Sequence, residues 1–134
     1  SEEMGVTDGL GVLEGEVRRL RTGGLRVPHI GWNEVSFERR SALTTGLPES
    51  GCAFYHVHSL APRPGRSENV IGTTEYGERF ATVVARGSIF GVQFHPEKSS
   101  RHGLQVLENF VALCAGGGDR AREPGSGARL TAPA

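Results

Sequence analysis

The chain has 134 residues, enough for one domain at most, and its 15 Lys plus Arg are matched by 15 Asp plus Glu. That balance leaves no basic field to hold a phosphate backbone, so nucleic acid is not an expected partner. No apolar run approaches the roughly 20 residues of a membrane span, and neither end has the apolar region of a signal peptide, so a soluble, cytoplasmic protein is expected.

Ser1 to Gly11 starts without methionine and carries Glu2, Glu3 and Asp8; it reads as the end of something longer. Leu10 to Leu20, with turn glycines and Val17 among charged neighbours, suggests a strand. A basic, Gly-containing loop spans Arg21 to Arg26, and Val27 to Val35 reads as the next strand, with an extended start at Pro28. Gly31 beside the only tryptophan suggests a close backbone approach or a bend, and composition favours burial of Trp32.

Ser41 to Gly51 is a turn region before a strong strand pattern, Cys52 to Ser59. Alternation puts Phe54, His56 and His58 on one face and Tyr55, Val57 and Ser59 on the other. A His-x-His pair on a strand, joined by His95, could ligate a metal, but no further ligand spacing supports it and no metal is expected. Cys52 and Cys114 also lack metal-type spacing, and a reduced pair is the default.

Ala61 to Asn69, with two prolines and mixed charge, reads as a loop. Val70 to Arg86 has the pattern of a hairpin turning near Tyr76 to Glu78, and Arg86-Gly87-Ser88 is a second turn into Ile89 to Phe94. Three short strands in succession make an antiparallel meander. Ser99 or Ser100 can cap the helix that follows, whose Leu104, Leu107, Val111 and Cys114, broadened by Val106, Phe110 and Leu113, are expected to face the core. Gly116 to Gly118 is expected to stop it, and Asp119 to Ala134 to be a disordered tail. The domain is therefore expected over 1–116 and a tail over 117–134.

Between the meander and the helix lies Gly91-Val92-Gln93-Phe94-His95-Pro96-Glu97-Lys98-Ser99-Ser100. Pro96 pushes His95 toward an extended conformation, and in an extended segment Glu97 shares its face, so the carboxylate can reach one imidazole nitrogen. A histidine oriented by a carboxylate is two thirds of a nucleophilic triad. By itself His-x-Glu is a weak pattern, and a surface loop with a local hydrogen bond is the commoner origin.

The full string is more specific. It resembles the C-terminal signature of class I glutamine amidotransferases. Pro28-His29-Ile30-Gly31-Trp32-Asn33 resembles a diagnostic motif of one branch, the glutaminase subunits of imidazole glycerol phosphate synthase. Tyr55 to Ser59 is similar to a Tyr-Phe-Val-His-Ser segment of that branch, with His56 where an aromatic residue is usual, and Gly72 to Tyr76 also matches. The resemblance runs from about Ser1 to Gly116.

It implies an α/β fold, a class I glutamine amidotransferase-like (flavodoxin-like, three-layer) domain with a mostly parallel central sheet. This chain would be a truncated form of it, supplying the later strands, the antiparallel meander and the C-terminal helix. It further implies hydrolysis of L-glutamine, whose ammonia passes to a (β/α)-barrel cyclase subunit in a heterodimer. The products would be imidazole glycerol phosphate, for histidine biosynthesis, and AICAR, for purine synthesis; no cofactor is called for. Carried over by position, His95 is the general base and acid and Glu97 orients it. Glu3 and Ser59 would contact the glutamine, and Trp32, Tyr55 and Lys98 would face the cyclase.

The family's nucleophile is a cysteine in a Gly-x-Cys-x-Gly elbow, which neither Cys52 nor Cys114 reproduces. Ser1-Glu2-Glu3 resembles the tail of the elbow helix. The expectation is a chain inactive by itself, with an uncovered sheet edge and apolar face. Competing expectations are a non-catalytic module that binds the cyclase, or another class I amidotransferase serving anthranilate, GMP or carbamoyl phosphate synthesis.

Overall fold

Short runs of β-branched and aromatic residues punctuated by glycine and proline become seven strands in the computed structural model, which describes residues 1–122. β1 (Gly15–Arg19) pairs with β4 (Leu60–Pro64) in a two-stranded sheet. β2 (His29–Phe37), β3 (Cys52–His58), β5 (Val70–Glu75), β6 (Arg79–Arg86) and β7 (Ile89–Val92) form a second sheet in the order β3-β2-β5-β6-β7. Every ladder among the described residues is antiparallel. The expected meander is β5 to β7. A 3₁₀ turn (Pro96–Lys98) then leads into α1 (Ser100–Arg122), the C-terminal helix.

The core lies between the larger sheet and α1. Val35, Phe54, Ile71 and Val83 meet Leu43, Leu47, Phe94 and Val106 there, and the Phe54 and Phe94 rings stack with centroids 4.0 Å apart. Phe54, His56 and His58 share one face, as alternation requires, and the structure makes it the inward one, with Val57 outward. A smaller cluster of Leu20, Ala61 and Phe80, with Tyr76 against it, ties the β1–β4 sheet to the rest. At the β5–β6 turn Gly77 has φ +73°, and a side chain there would collide with the Thr22 backbone, so the residue must be glycine.

Several expectations are corrected. Residues 60–64 are a strand rather than loop, because their prolines fall where no N–H is needed. Leu20 N–H donates to Ser59 O at 3.0 Å and Gly65 N–H to Glu14 O at 2.8 Å, so the odd-numbered residues of β4 bond to β1 while Pro62 and Pro64 turn their nitrogens away. Trp32 is 55% exposed, on the outer face of β2. Gly31 beside it has φ +130° with open space where a side chain would be, so it serves a bend and no close approach.

The helix packs through a different face from the one its apolar period suggests. Gly103 and Val106 are buried, Asn109 donates to Leu43 O and Thr45 O at 2.8 Å each, and Leu104, Leu107, Phe110, Val111 and Cys114 are exposed. Gly116 to Gly118 do not stop it, since glycine weakens a helix by only about 1 kcal/mol per residue without forbidding its dihedrals. The expected tail therefore begins as helix to Arg122, and its residues 123–134 lie outside the described residues. Ser1 to Glu3 are not helical. Glu2 instead leans on β1, donating its N–H to Val17 O and accepting the Arg19 N–H on its carboxylate, both at 2.9 Å.

Candidate active site

The corner between β7 and α1 is built from its backbone upward. His95 is extended (φ −97°, ψ 100°) as the residue before proline should be, and it stands at the N-cap of the 3₁₀ turn with Pro96 in the first position. Glu97 lies inside that turn, so the two side chains meet across a turn and not along one face of an extended segment. His95 Nδ1 and Glu97 Oε1 are 2.8 Å apart. Glu97 is held below the usual carboxylate range, first by its own backbone N–H and then by the His95 ring. That carboxylate fixes the proton on Nδ1, and Nε2, which makes no hydrogen bond among the described residues, is left as the acceptor.

The corner hangs on the edge of the large sheet. Tyr55 turns its backbone away from β2, accepting the His95 N–H on its carbonyl at 2.9 Å and donating its own N–H to Ser99 Oγ at 3.0 Å. Its ring meets Trp32, its partner across the ladder, edge to face with centroids 6.2 Å apart. Ile30 opposite Val57 extends that pair into an exposed apolar patch. Lys98 is exposed in the same turn as Glu97.

Of the residues expected at the site, the structure thus brings together His95 and Glu97, with Lys98 beside them, and links them to Tyr55 and through it to Trp32. Glu3 and Ser59 are not joined to the corner. The Glu3 carboxylate makes no hydrogen bond or ion pair among the described residues; Ser59 lies four residues beyond Tyr55, about 13 Å along an extended chain, with its carbonyl accepting from Leu20.

His56 and His58 join His29 rather than His95. His58 Nδ1–H faces the Leu60 carbonyl at 2.7 Å, which leaves Nε2 to accept from His29 Nδ1 at 2.8 Å, and His29 Nε2 then accepts from Asn33 Nδ2 at 3.1 Å. His56 donates from Nδ1 to Phe54 O and accepts from Thr82 Oγ1, both 3.0 Å, while its ring packs against Phe80 and Phe94 as an aromatic residue would. All three are neutral. Burial lowers His29 and His56 to about 4, and lowers His58 against the pull of the Leu60 carbonyl. With every ring nitrogen engaged in a hydrogen bond, this is a buried polar network rather than a ligand set.

Neither cysteine can serve His95 as nucleophile. Cys52 is buried in the core at the start of β3, opposite Val35 of β2, with its thiol pushed up to about 11, chiefly by burial and secondarily by Glu34, and Cys114 is exposed about four turns along α1. Sequence reasoning finds Ser99 only as a possible helix cap and misses its hydrogen bonds to the corner. It also misses His29 as the centre of the histidine network, for which the sequence carries no signal, since His29 and His58 are brought together only by the β2–β3 register.

The family described as glutamine amidotransferase class-I matches residues 11–114. The protein named imidazole glycerol phosphate synthase subunit HisH of Moorella thermoacetica is 57% identical over 113 residues, covering 84% of this chain and 53% of that one. Its namesake in Geobacillus kaustophilus is 44% identical over 124 residues, covering 89% and 58%. The chain thus spans about half the length of these relatives. Among solved structures, a protein from Thermoplasma acidophilum described as a GMP synthase component aligns with a TM-score of 0.68 at 19% identity, over 81% of this chain and 53% of that one. That likeness supports the shared fold.

Proposed function

The chain belongs to the class I glutamine amidotransferase family, and from that premise we propose that it carries the histidine–glutamate half of a glutaminase site whose ammonia feeds a cyclase subunit in imidazole glycerol phosphate synthesis, with AICAR as the second product. The observation that carries the proposal is the His95–Glu97 pair at 2.8 Å with Nε2 open. In the complete site Nε2 of His95 takes the proton of a cysteine thiol, and the resulting thiolate attacks the glutamine carboxamide carbon. As the C–N bond breaks, Nε2–H of His95 gives its proton to the leaving ammonia. Water then attacks the thioester, Nε2 takes a proton from it, and the C–S bond breaks to release glutamate and restore the thiolate. Glu97 holds the ring and stabilises its charged form in both steps.

Trp32 and Tyr55, with Ile30 and Val57, form the surface proposed to meet the cyclase, and Lys98, exposed in the turn after His95, is proposed to add a cation to it. Exposed aromatic residues in a contiguous patch are the usual composition of such an interface. Glu3 and Ser59 are assigned as glutamine contacts on the family pattern alone. Two free cysteines fit a reducing cytoplasm, and no helix among the described residues is long and apolar enough to cross a membrane.

Because neither Cys52 nor Cys114 fits the nucleophile's role, residues 1–134 alone should release no ammonia from glutamine. A chimera in which this chain replaces the matching 113 residues of the Moorella thermoacetica relative should release it. In that chimera His95→Ala should lower kcat about 10²- to 10⁴-fold. Ammonia release by the chain alone, or a chimera whose turnover is indifferent to His95, would overturn the proposal. A chimera without turnover that still binds the cyclase would favour a non-catalytic binding module.

A further inference from the structure

Ser99 is 1% exposed, yet its side chain caps no helix. Its hydroxyl accepts the Tyr55 N–H at 3.0 Å and donates to the His95 carbonyl at 2.6 Å, while the His95 N–H returns to the Tyr55 carbonyl at 2.9 Å. The three bonds close a ring around one residue of an edge strand. A hydroxyl suits the position because it must accept and donate at once. The residue itself is held from both sides, by its N–H to Pro96 O and by Gly103 N–H to its carbonyl, each at 3.1 Å. Gly103 completes the clamp. A side chain there would overlap the Pro96 carbonyl and come within 2.7 Å of Ser99 Cβ, so the first turn of α1 is pressed directly onto the corner.

We infer that Ser99 is the positioning residue of this site: its hydroxyl ties the His95–Glu97 pair to the backbone of Tyr55, and so to the surface that Tyr55 shares with Trp32. Tyr55 presents its ring to that surface and its backbone to the corner. A partner that shifts the outer edge of β3 therefore shifts the imidazole with it. The inference rests on the proposed function only for the catalytic meaning of His95, and its test separates the two.

The test compares wild type, Ser99→Ala and Ser99→Thr, each in the full 134-residue chain with Phe110→Glu and Val111→Lys on the exposed face of α1 to keep it monodisperse. It reads the His95 ring tautomer from ¹⁵N chemical shifts at pH 8 and the hydrogen exchange of the Tyr55 amide. In wild type the proton should sit on Nδ1. In Ser99→Ala the tautomer should move toward Nε2–H and the Tyr55 amide should exchange about tenfold faster, having lost its partner. Ser99→Thr keeps the hydroxyl and should restore both. In the chimera with the cyclase present, Ser99→Ala should lower kcat about ten- to a hundredfold and leave KM within about twofold, the signature of a misplaced reacting group.

A folded Ser99→Ala protein with unchanged tautomer and exchange would overturn the inference, as would a tautomer that shifts in Ser99→Ala and stays shifted in Ser99→Thr. If the alanine variant does not fold, Ser99→Cys takes its place with the same two readouts, the weaker donor giving an intermediate response. Tautomer and exchange that follow Ser99 in a chimera without glutaminase activity would sink the proposed function and leave the positioning role standing.

Discussion

Three buried histidines make the stability of this protein depend on pH in a definite direction. His29 and His56 titrate near 4 in the folded chain, and His58 is also lowered, against about 6.5 when unfolded. Above pH 6.5 they are neutral in both states and impose no penalty. As pH falls from 6.5 toward 4 the unfolded chain takes up protons the folded chain refuses, and stability drops by roughly 1 kcal/mol per pH unit for each of His29 and His56, with His58 acting in the same direction. His56→Phe isolates one of them. At pH 7.5 it should be less stable by about 1 kcal/mol, because the Thr82 hydroxyl loses its partner. At pH 5 that difference should vanish or reverse, since the unfolded state no longer gains the proton. Urea unfolding of both proteins at the two pH values measures it, and parallel curves would refute the assignment of His56 as a neutral, buried group.

Among the elements, β4 and α1 show where pattern and packing part company. The prolines of β4 are tolerated by parity, so shifting one by a single residue should not be. Ala61→Pro places the ring at a ladder position opposite Arg18 and should cost about 3 kcal/mol or more, whereas Pro62→Ala should change stability by less than about 1 kcal/mol. Thermal melts of the two variants distinguish the β4 ladder from a loop that merely contains prolines. In α1 the choice of face is equally testable. Val106→Ala, in the core, should cost about 2 kcal/mol, and Val111→Ala, in solvent, less than about 0.5 kcal/mol. Equal losses at the two positions would contradict the orientation of the helix.

At the scale of the whole molecule, the outer apolar stripe of α1 and the edge of β7, unpaired among the described residues, stand out. Leu104, Leu107, Phe110 and Val111 are exposed along the helix, and Leu107 and Phe110 border a groove floored by Leu43, Phe90, Val92 and Val106. An apolar surface of this kind beside an open strand edge promotes self-association. The 134-residue chain should therefore scatter light at micromolar concentration, and Phe110→Glu with Val111→Lys should suppress that scatter while leaving the melting temperature within a few degrees. A monodisperse, monomeric wild-type sample would count against this.

Much of the fold and half of the site were legible in the residues themselves. Alternation alone puts Phe54, His56 and His58 on one face, turn glycines mark the meander, and Pro96 makes His95 extended; the His95–Glu97 pairing follows because the two residues are neighbours in the chain, and local geometry needs no distant partner. What the sequence could not decide was which of two plausible surfaces another element would cover. The apolar period of α1 was visible, but its packing face was chosen by Gly103 against Pro96 and by Asn109 against Leu43, contacts the helix makes with elements outside itself. Likewise the exposure of Trp32, the strand at 60–64, the neutral histidine network and the Ser99 clamp all depend on register between strands. Register is set by the whole sheet at once, through hydrogen bonds and burial that no single segment contains.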